Sequence, residues 1–144
     1  MHSSGFLLLV DDEEAFVSTL AKRLIKRDYK IITAYSGEIA IDQLDKNSDV
    51  EVVILDVKMP GMDGIETLRE IKRKYPLTEV IMLTGHGTIE TAIEGMKLGA
   101  FDYLLKPCDT DELLNKVNEA VIKKRNHENK IVEARLKEIT SRRT

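Results

Sequence analysis

The sequence predicts an α/β domain built on a doubly wound parallel sheet of five strands. Short apolar segments alternate five times with segments of helical periodicity along the chain, a pattern typical of a parallel sheet covered by helices on both faces. Four of the apolar segments end in a polar side chain, and open α/β sheets hold their ligands at that edge. The length of 144 residues suits a single domain.

The first half of the chain contains three predicted strands. Residues 6–10 form the first strand, and the helix after it carries an apolar stripe at four-residue spacing, formed by Phe16, Leu20 and Leu24. A short strand over residues 30–34 leads to a helix that begins near Ser36, with one face expected to hold Ile39, Ala40 and Leu44. Residues 51–55 are nearly all apolar, as expected of a strand buried on both faces.

The third helix and the fourth strand have clear end signals. Asp63 is the expected N-cap of a helix whose buried side is predicted to hold Ile65, Leu68 and Ile71. Pro76 ends this helical region, because proline beyond the last turn is a typical stop signal. Residues 80–83 then form the fourth strand.

The fifth strand lies between the last two helices. The fourth helix is predicted over residues 88–98, with Gly99 as its C-terminal stop, and the fifth strand over residues 101–105. Asp109 or Thr110 caps the fifth helix, whose apolar positions are Leu113, Leu114, Val117 and Val121. The polar strand ends favour the strand order 2-1-3-4-5, because that order brings the first, third, fourth and fifth strands close together.

Three segments are expected along the chain. Residues 1–5 are interpreted as a disordered start or an expression remnant, residues 6–123 as the folded domain, and residues 124–144 as a helical linker or tail. The last segment has a thin apolar stripe, formed by Val132, Leu136 and Ile139. It is interpreted as the start of a linker to an output domain, as a dimerising helix or as a frayed tail.

Composition excludes several classes of protein. No apolar stretch approaches the roughly 20 residues that cross a bilayer, and the net charge of −3 gives no argument for nucleic-acid or membrane binding. Residues 125–144 carry six Lys/Arg and three Glu, an excess too small to predict direct nucleic-acid binding without a recognition motif. The single Cys108 cannot form an internal disulfide, and it is read as a small packed hydrophobe. We therefore expect a cytoplasmic protein.

Carboxylates at the strand ends predict a metal site. Asp11 and Asp12 follow the first strand and Asp56 follows the third, so the three side chains should converge and repel one another. A hard divalent cation resolves this repulsion, and all-oxygen ligands suit Mg²⁺, with Mn²⁺ as the alternative. The three histidines, His2, His86 and His127, are scattered and lack the spacing of zinc ligands.

The same edge carries groups suited to phosphoryl transfer. Asp56 has the position of a nucleophile that attacks phosphorus and forms an aspartyl phosphate. Lys106, after the fifth strand, can neutralise charge on the phosphoryl group, and the hydroxyl of Thr84, at the end of the fourth, can donate a hydrogen bond to it. A bond between Lys106 and Pro107 in the cis form would aim the lysine inward, but the base rate predicts trans.

These motifs together resemble the receiver domain of two-component response regulators over about residues 5–123. The resemblance rests on five elements in order, Val10–Glu13, Leu55–Gly64, Leu83–His86, Gly99–Tyr103 and Leu105–Pro107. It implies a flavodoxin-like (βα)5 fold with an extended C-terminal helix, and a receiver domain over residues 6–123. It also implies a phosphoacceptor switch and not an enzyme acting on a separate substrate.

The resemblance assigns roles to individual residues. It implies that Asp56 accepts a phosphoryl group from a sensor histidine kinase or phosphotransfer protein. Mg²⁺ would be held by Asp11, Asp12, Asp56 and the backbone carbonyl of Lys58. Thr84 and Lys106 would contact the phosphoryl group, and Tyr103 matches the switch aromatic. Side chains at the positions of Lys58 and His86 tend to tune phosphoryl loss in the family.

The resemblance also implies an output surface, and two other functions compete with the phosphoacceptor switch. In the family, phosphorylation remodels the surface of the fourth helix, fifth strand and fifth helix; this surface or the C-terminal helix could form a homodimer. One alternative is a receiver-like interaction module that works without phosphate, although such a module has no use for the full residue set. Another is a Mg²⁺-dependent phosphohydrolase, disfavoured because position 58 is Lys where a second carboxylate is usual.

Overall fold

Five parallel strands form the central sheet of the computed structural model, which describes residues 4–142. In chain order the strands are β1 (Gly5–Val10), β2 (Tyr29–Ala34), β3 (Val52–Leu55), β4 (Glu79–Thr84) and β5 (Asp102–Leu105). The helices are α1 (Glu14–Ile25), α2 (Gly37–Lys46), α3 (Gly64–Lys74), α4 (Ile89–Lys97) and α5 (Thr110–Arg142). The strand order β2-β1-β3-β4-β5 confirms the predicted doubly wound, flavodoxin-like fold.

The sheet is buried on both faces by two apolar layers. Side chains alternate along β1, so that Leu8 packs in one layer and Leu7 in the other, and neither has measurable exposure. Helices α2 and α3 contribute to the layer of Leu8, while α1 and α5 contribute to the layer of Leu7. Burial on both sides explains why the strand segments are almost continuously apolar.

The helix ends follow the predicted capping chemistry. The Asp63 carboxylate accepts a hydrogen bond from the Glu66 backbone N–H at 2.9 Å, and the Ser36 hydroxyl accepts one from the Ile39 N–H at 3.2 Å. Gly99 follows α4 with a positive φ of 102°, the left-handed conformation in which glycine commonly ends a helix. These capping residues therefore define the helix ends more sharply than the apolar periodicity does.

One predicted core position is wrong. Ile39 is 47% exposed, whereas Ala40 and Leu44 are buried. Successive helical residues are about 100° apart around the axis, so Leu44 lies about 40° from Ala40 and about 140° from Ile39. Ala40 and Leu44 define the face that packs on the sheet, and Ile39 consequently points towards solvent.

The fold includes the first described residues of the chain. Gly5 is buried and begins β1, and the Ser4 N–H donates to the Asp28 carbonyl at 2.8 Å. Residues 1–3 of the expected disordered start lie outside the described residues. The predicted boundaries of the three segments stay predictions.

Helix α5 continues far beyond the sheet. Its first turns are buried, whereas its last turns expose the stripe of Val132, Leu136 and Ile139. Arg125 marks the transition, because its guanidinium donates to both carboxylate oxygens of Glu51 at 2.7 and 3.0 Å. Nearby, Lys123 Nζ lies 3.5 Å from a carboxylate oxygen of the buried Glu79. These pairs anchor α5 at the amino-terminal edge of the sheet.

Across residues 4–142, no helix combines the length and apolarity that a membrane crossing requires.

We expect the substitution Gly64→Ala to lower the free energy of unfolding by about 3 kcal/mol. A methyl group at this position would lie 2.0 Å from the Asp56 carbonyl oxygen and 2.6 Å from Val57 Cα, and backbone atoms cannot move aside cheaply. Alanine is otherwise favoured over glycine in a helix by about 1 kcal/mol. The substitution is therefore expected to destabilise the protein only because of this steric clash. Urea denaturation measures the change. The matched control Gly85→Ala, where the nearest atoms are 3.9 Å away, should change stability little; equal losses in both variants would contradict the steric explanation.

Candidate functional site

Asp56 lies in the crevice between the ends of β1 and β3. Val10 and Leu55 are paired in the parallel register, and the Asp56 N–H donates to the Val10 carbonyl at 3.0 Å. The residue is 2% exposed. Within residues 4–142, its Oδ1 is the one buried side-chain oxygen or nitrogen that lacks a hydrogen-bond partner. A buried carboxylate oxygen without a partner is costly, so this atom is available for a ligand.

Three carboxylates meet at this point. One oxygen from each of Asp11, Asp12 and Asp56 lies within 4.8 Å of the others. Asp11 is 3% exposed, whereas Asp12 is open to solvent. The all-oxygen donor set suits a hard cation such as Mg²⁺, which keeps several waters when it binds, and the exposed side leaves room for them. The residues present therefore fit a divalent cation.

Burial is the main cause that raises the pKa of Asp56 above its ordinary value. Repulsion from Asp11 raises this pKa further, while the Thr84 hydroxyl and the Lys106 ammonium act to lower it. The Val57 backbone also acts to lower this pKa, and the net upward direction means that these three groups offset only part of the desolvation of the carboxylate. A cation or another positive ligand would supply the missing compensation.

Lys106 reaches the carboxylates from the end of β5. Its Nζ donates to Asp11 Oδ2 at 2.6 Å and lies 3.4 Å from Glu13 Oε1. Burial acts to lower the pKa of Lys106, but the hydrogen bond and charge of Asp11, with the charges of Asp56 and Glu13, outweigh it and raise this pKa. Lys106 is therefore a fixed positive charge at the site.

The peptide bond between Lys106 and Pro107 is cis. The trans form expected from base rates is therefore wrong at this position. The preference for trans before proline is only about 0.5–1 kcal/mol, so the base rate is a weak guide at a single position.

Thr84 ends β4 beside these charges. The residue has no measurable exposure, and its Oγ1 accepts a hydrogen bond from the His86 N–H at 3.0 Å. A hydroxyl is both a donor and an acceptor, and the Thr84 hydroxyl also acts as a hydrogen-bond partner of the Asp56 carboxylate, which lowers the pKa of that group. Thr84 links the site to the loop that leads into α4.

An open cavity of about 460 Å³ lies above Asp56. It is lined by Asp12, Glu13, Asp56, Lys58, Met59, Pro60 and His86. The sequence-predicted tuning positions Lys58 and His86 therefore lie on the same cavity as the carboxylate. A phosphoryl group and a hydrated cation can reach Asp56 from this side.

Tyr103 contacts the loop between β4 and α4. The Tyr103 hydroxyl forms a hydrogen bond with Thr91 Oγ1 at 2.8 Å, and Thr91 also completes a capping box with Thr88 at the start of α4. A methyl group added to Gly87 would lie 2.5 Å from the Tyr103 hydroxyl. The half-buried ring therefore packs directly on the segment that follows Thr84.

Two residues near the site were not predicted as site residues. The sequence places Glu13 in the acidic run but does not predict its contact with Lys106. The helical pattern places Phe16 only among the apolar positions of α1, although Lys106 Nζ lies 3.9 Å from the centre of its ring. An aromatic residue at the start of α1 is the only sequence feature that hints at this contact, and its partner Lys106 is 90 residues away along the chain.

Comparison with known protein families agrees with this site, which combines three carboxylates, a threonine and a lysine at the strand ends. The sequence profile of the response regulator receiver domain matches residues 7–118. The chain belongs to this family. As a receiver domain, it is the signal-receiving type of module found in response regulators, and not a classical enzyme.

Similar proteins support this assignment. The receiver is 38% identical over 115 residues to the transcriptional regulatory protein ZraR of Salmonella typhimurium, covering 80% of this chain and 26% of the relative. It is 35% identical over 117 residues to the DNA-binding transcriptional regulator NtrC of Klebsiella pneumoniae, covering 81% of this chain and 25% of the relative. The chain therefore spans about a quarter of the length of these relatives.

The fold of the receiver is also found in solved structures. A response regulator receiver domain protein from Clostridium thermocellum is 37% identical and superimposes with a TM-score of 0.80. That match covers 84% of this chain and 97% of the other. The receiver fold thus accounts for nearly the whole of the similar protein, and the end of α5 lies beyond the family match to residues 7–118.

Proposed function

We propose that this receiver domain accepts a phosphoryl group on Asp56 from a phosphohistidine donor, in a reaction that requires Mg²⁺ or Mn²⁺. The donor would be a sensor histidine kinase or a phosphotransfer protein in the cytoplasm. The observation that carries the proposal is the unpartnered Oδ1 of Asp56, which is buried below an open cavity and surrounded by two carboxylates. A phosphoryl group with its counter-charge is the ligand that this combination suits.

Four groups of the chain could hold the cation. They are the carboxylates of Asp11, Asp12 and Asp56 and the backbone carbonyl of Lys58. When bound, the cation would neutralise charge on the phosphoryl oxygens during transfer.

The side chains would perform the remaining steps. An Asp56 carboxylate oxygen forms the new bond to phosphorus as the phosphorus–nitrogen bond of the donor histidine breaks. The electron pair of that bond returns to the donor ring, which carries a proton on its other nitrogen and therefore leaves as neutral imidazole. Lys106 exchanges Asp11 for a phosphoryl oxygen, and the Thr84 hydroxyl donates to another. Because the protein contributes mainly positioning and charge compensation, no further acid or base is needed.

Movement of Thr84 would carry the signal outward. The Thr84 hydroxyl is hydrogen-bonded to the His86 N–H, and the next residue, Gly87, lies against the Tyr103 hydroxyl. The Tyr103 hydroxyl is in turn hydrogen-bonded to Thr91 of α4. Drawing Thr84 towards the phosphoryl group would therefore disturb the contacts that hold Tyr103 and the start of α4. Phosphorylation would shift the equilibrium between two arrangements of Thr84, Tyr103 and the start of α4, because the phosphoryl group interacts more favourably with one of them. The surface of α4, β5 and α5 would then control an output partner, an output domain or a homodimer.

The intact mass of the protein after incubation with acetyl phosphate and Mg²⁺ tests this function. We expect a gain of one phosphoryl group, which is lost when the cation is removed with a chelator. Beryllofluoride, a mimic of the phosphoryl group, should also perturb the environment of Tyr103. If neither reagent modifies the protein, the proposal is wrong and a phosphate-independent interaction module becomes the better interpretation.

A further inference from the structure

We propose that Phe16 is a positioning residue, whose ring face holds the Lys106 ammonium where it can reach a phosphoryl group on Asp56. The consequence for phosphorylation rests on the proposed function above. The contact between ring and ammonium does not, and it can be tested separately.

The contact is close and sheltered. Lys106 Nζ lies 3.9 Å from the centre of the Phe16 ring, well inside the ~6 Å within which a cation over an aromatic face is attracted to it. The Lys106 side chain is 14% exposed. Shielding from water strengthens the attraction between a cation and a ring, so this contact is expected to be stronger than one at an exposed site.

The ring differs from the other partners of Lys106 in what it demands. An ammonium has three N–H donors, and the carboxylates of Asp11 and Glu13 are within reach of two of them. The ring attracts the charge without neutralising it. Lys106 can therefore exchange Asp11 for a phosphoryl oxygen while it keeps the same contact with Phe16, and the lysine need not be repositioned during the reaction.

The position of Phe16 between two spaces gives it this role. On one side it lines a groove of about 210 Å³ between α1 and the start of α5, which Lys106 and Leu113 also line. On the other it lines a much smaller cavity shared with Asp11 and Asp56. The groove offers Lys106 an alternative direction, away from the carboxylates. A side chain without a π face could fill the apolar space, but it would not attract the ammonium.

Two substitutions separate positioning from packing. Phe16→Leu keeps an apolar side chain and removes the ring face, whereas Phe16→Tyr keeps the face. In the wild type and in Phe16→Tyr, we expect the ring current to shift the ε-methylene proton resonances of Lys106 upfield, and we expect this shift to be lost in Phe16→Leu. Beryllofluoride affinity in Mg²⁺ should fall about five- to tenfold in Phe16→Leu, a change within the range of a sheltered cation–π contact, and should stay within about twofold in Phe16→Tyr.

The outcomes distinguish this inference from the proposed function. Wild-type affinity for beryllofluoride in Phe16→Leu, or equal losses in both variants, would overturn the positioning role. If the wild type itself does not bind beryllofluoride, the proposed function is wrong, and the methylene shift then decides the ring contact alone. Phe16→Met replaces Phe16→Leu if circular dichroism shows that the leucine variant is unfolded.

Discussion

Replacing Asp56 with asparagine is expected to abolish the gain of one phosphoryl group from acetyl phosphate and Mg²⁺. The two side chains have nearly the same shape, but an amide has no carboxylate oxygen to bond to phosphorus and adds no negative charge for a cation. Asp56 is 2% exposed, and a substitution of equal size avoids a cavity there. We therefore expect complete loss of modification without loss of the fold, measured by intact mass and circular dichroism.

A second carboxylate provides the control for this experiment. Asp42 is exposed on α2, so Asp42→Asn makes the same chemical change outside the site and should be modified like the wild type. Mass gain in Asp56→Asn equal to that of Asp42→Asn would show that the acceptor is another residue.

The same substitution is expected to stabilise the protein at neutral pH in the absence of a divalent cation. Burial raises the pKa of Asp56 in the folded state, so the charged form costs free energy there. The contribution of this group to stability is greatest below its unfolded pKa of about 3.9, and it is lost as the pH rises through the folded pKa. At pH 7 we expect Asp56→Asn to be more stable than the wild type by on the order of 1–3 kcal/mol, the usual cost of a buried polar group without a partner.

Urea denaturation of both proteins across pH 3–7 in chelator measures this difference. The stability gap should be largest at pH 7 and should close as the pH falls towards the ordinary aspartate range, where the wild-type carboxyl is protonated. Added Mg²⁺ should raise the stability of the wild type more than that of the variant, because a ligand stabilises the state that binds it. A gap that is constant with pH would show that the charge of Asp56 is not its cause.

The convergence of the carboxylates was predictable because it depends on sequence-local signals. Apolar strands that end in Asp11 and Asp56 must place these residues at one edge of a parallel sheet, whichever details the loops adopt. The register between Val10 and Leu55 then brings them together. Helix caps such as Asp63 were predictable for the same reason, since a cap acts within three residues of its partner.

Contacts between remote elements were not predictable in the same way. Phe16 on α1 and Lys106 after β5 meet only once the sheet has assembled, and an apolar periodicity in α1 gives no sign of a cationic partner. The misplaced Ile39 has a different cause, because adjacent residues lie about 100° apart around a helix and Ala40, not Ile39, faces the sheet. The cis bond before Pro107 was not predictable either, because the local preference for trans before proline is small.

The anchoring of α5 at Arg125 turns the rest of the helix into a lever. A helix rises about 1.5 Å per residue, so residues 126–142 extend about 25 Å past the pair between Arg125 and Glu51. With a rigid arm of that length, each degree of tilt at the anchor displaces the far end by about 0.4 Å. A tilt of α5 at this anchor would therefore move Arg142 much farther than it moves Arg125.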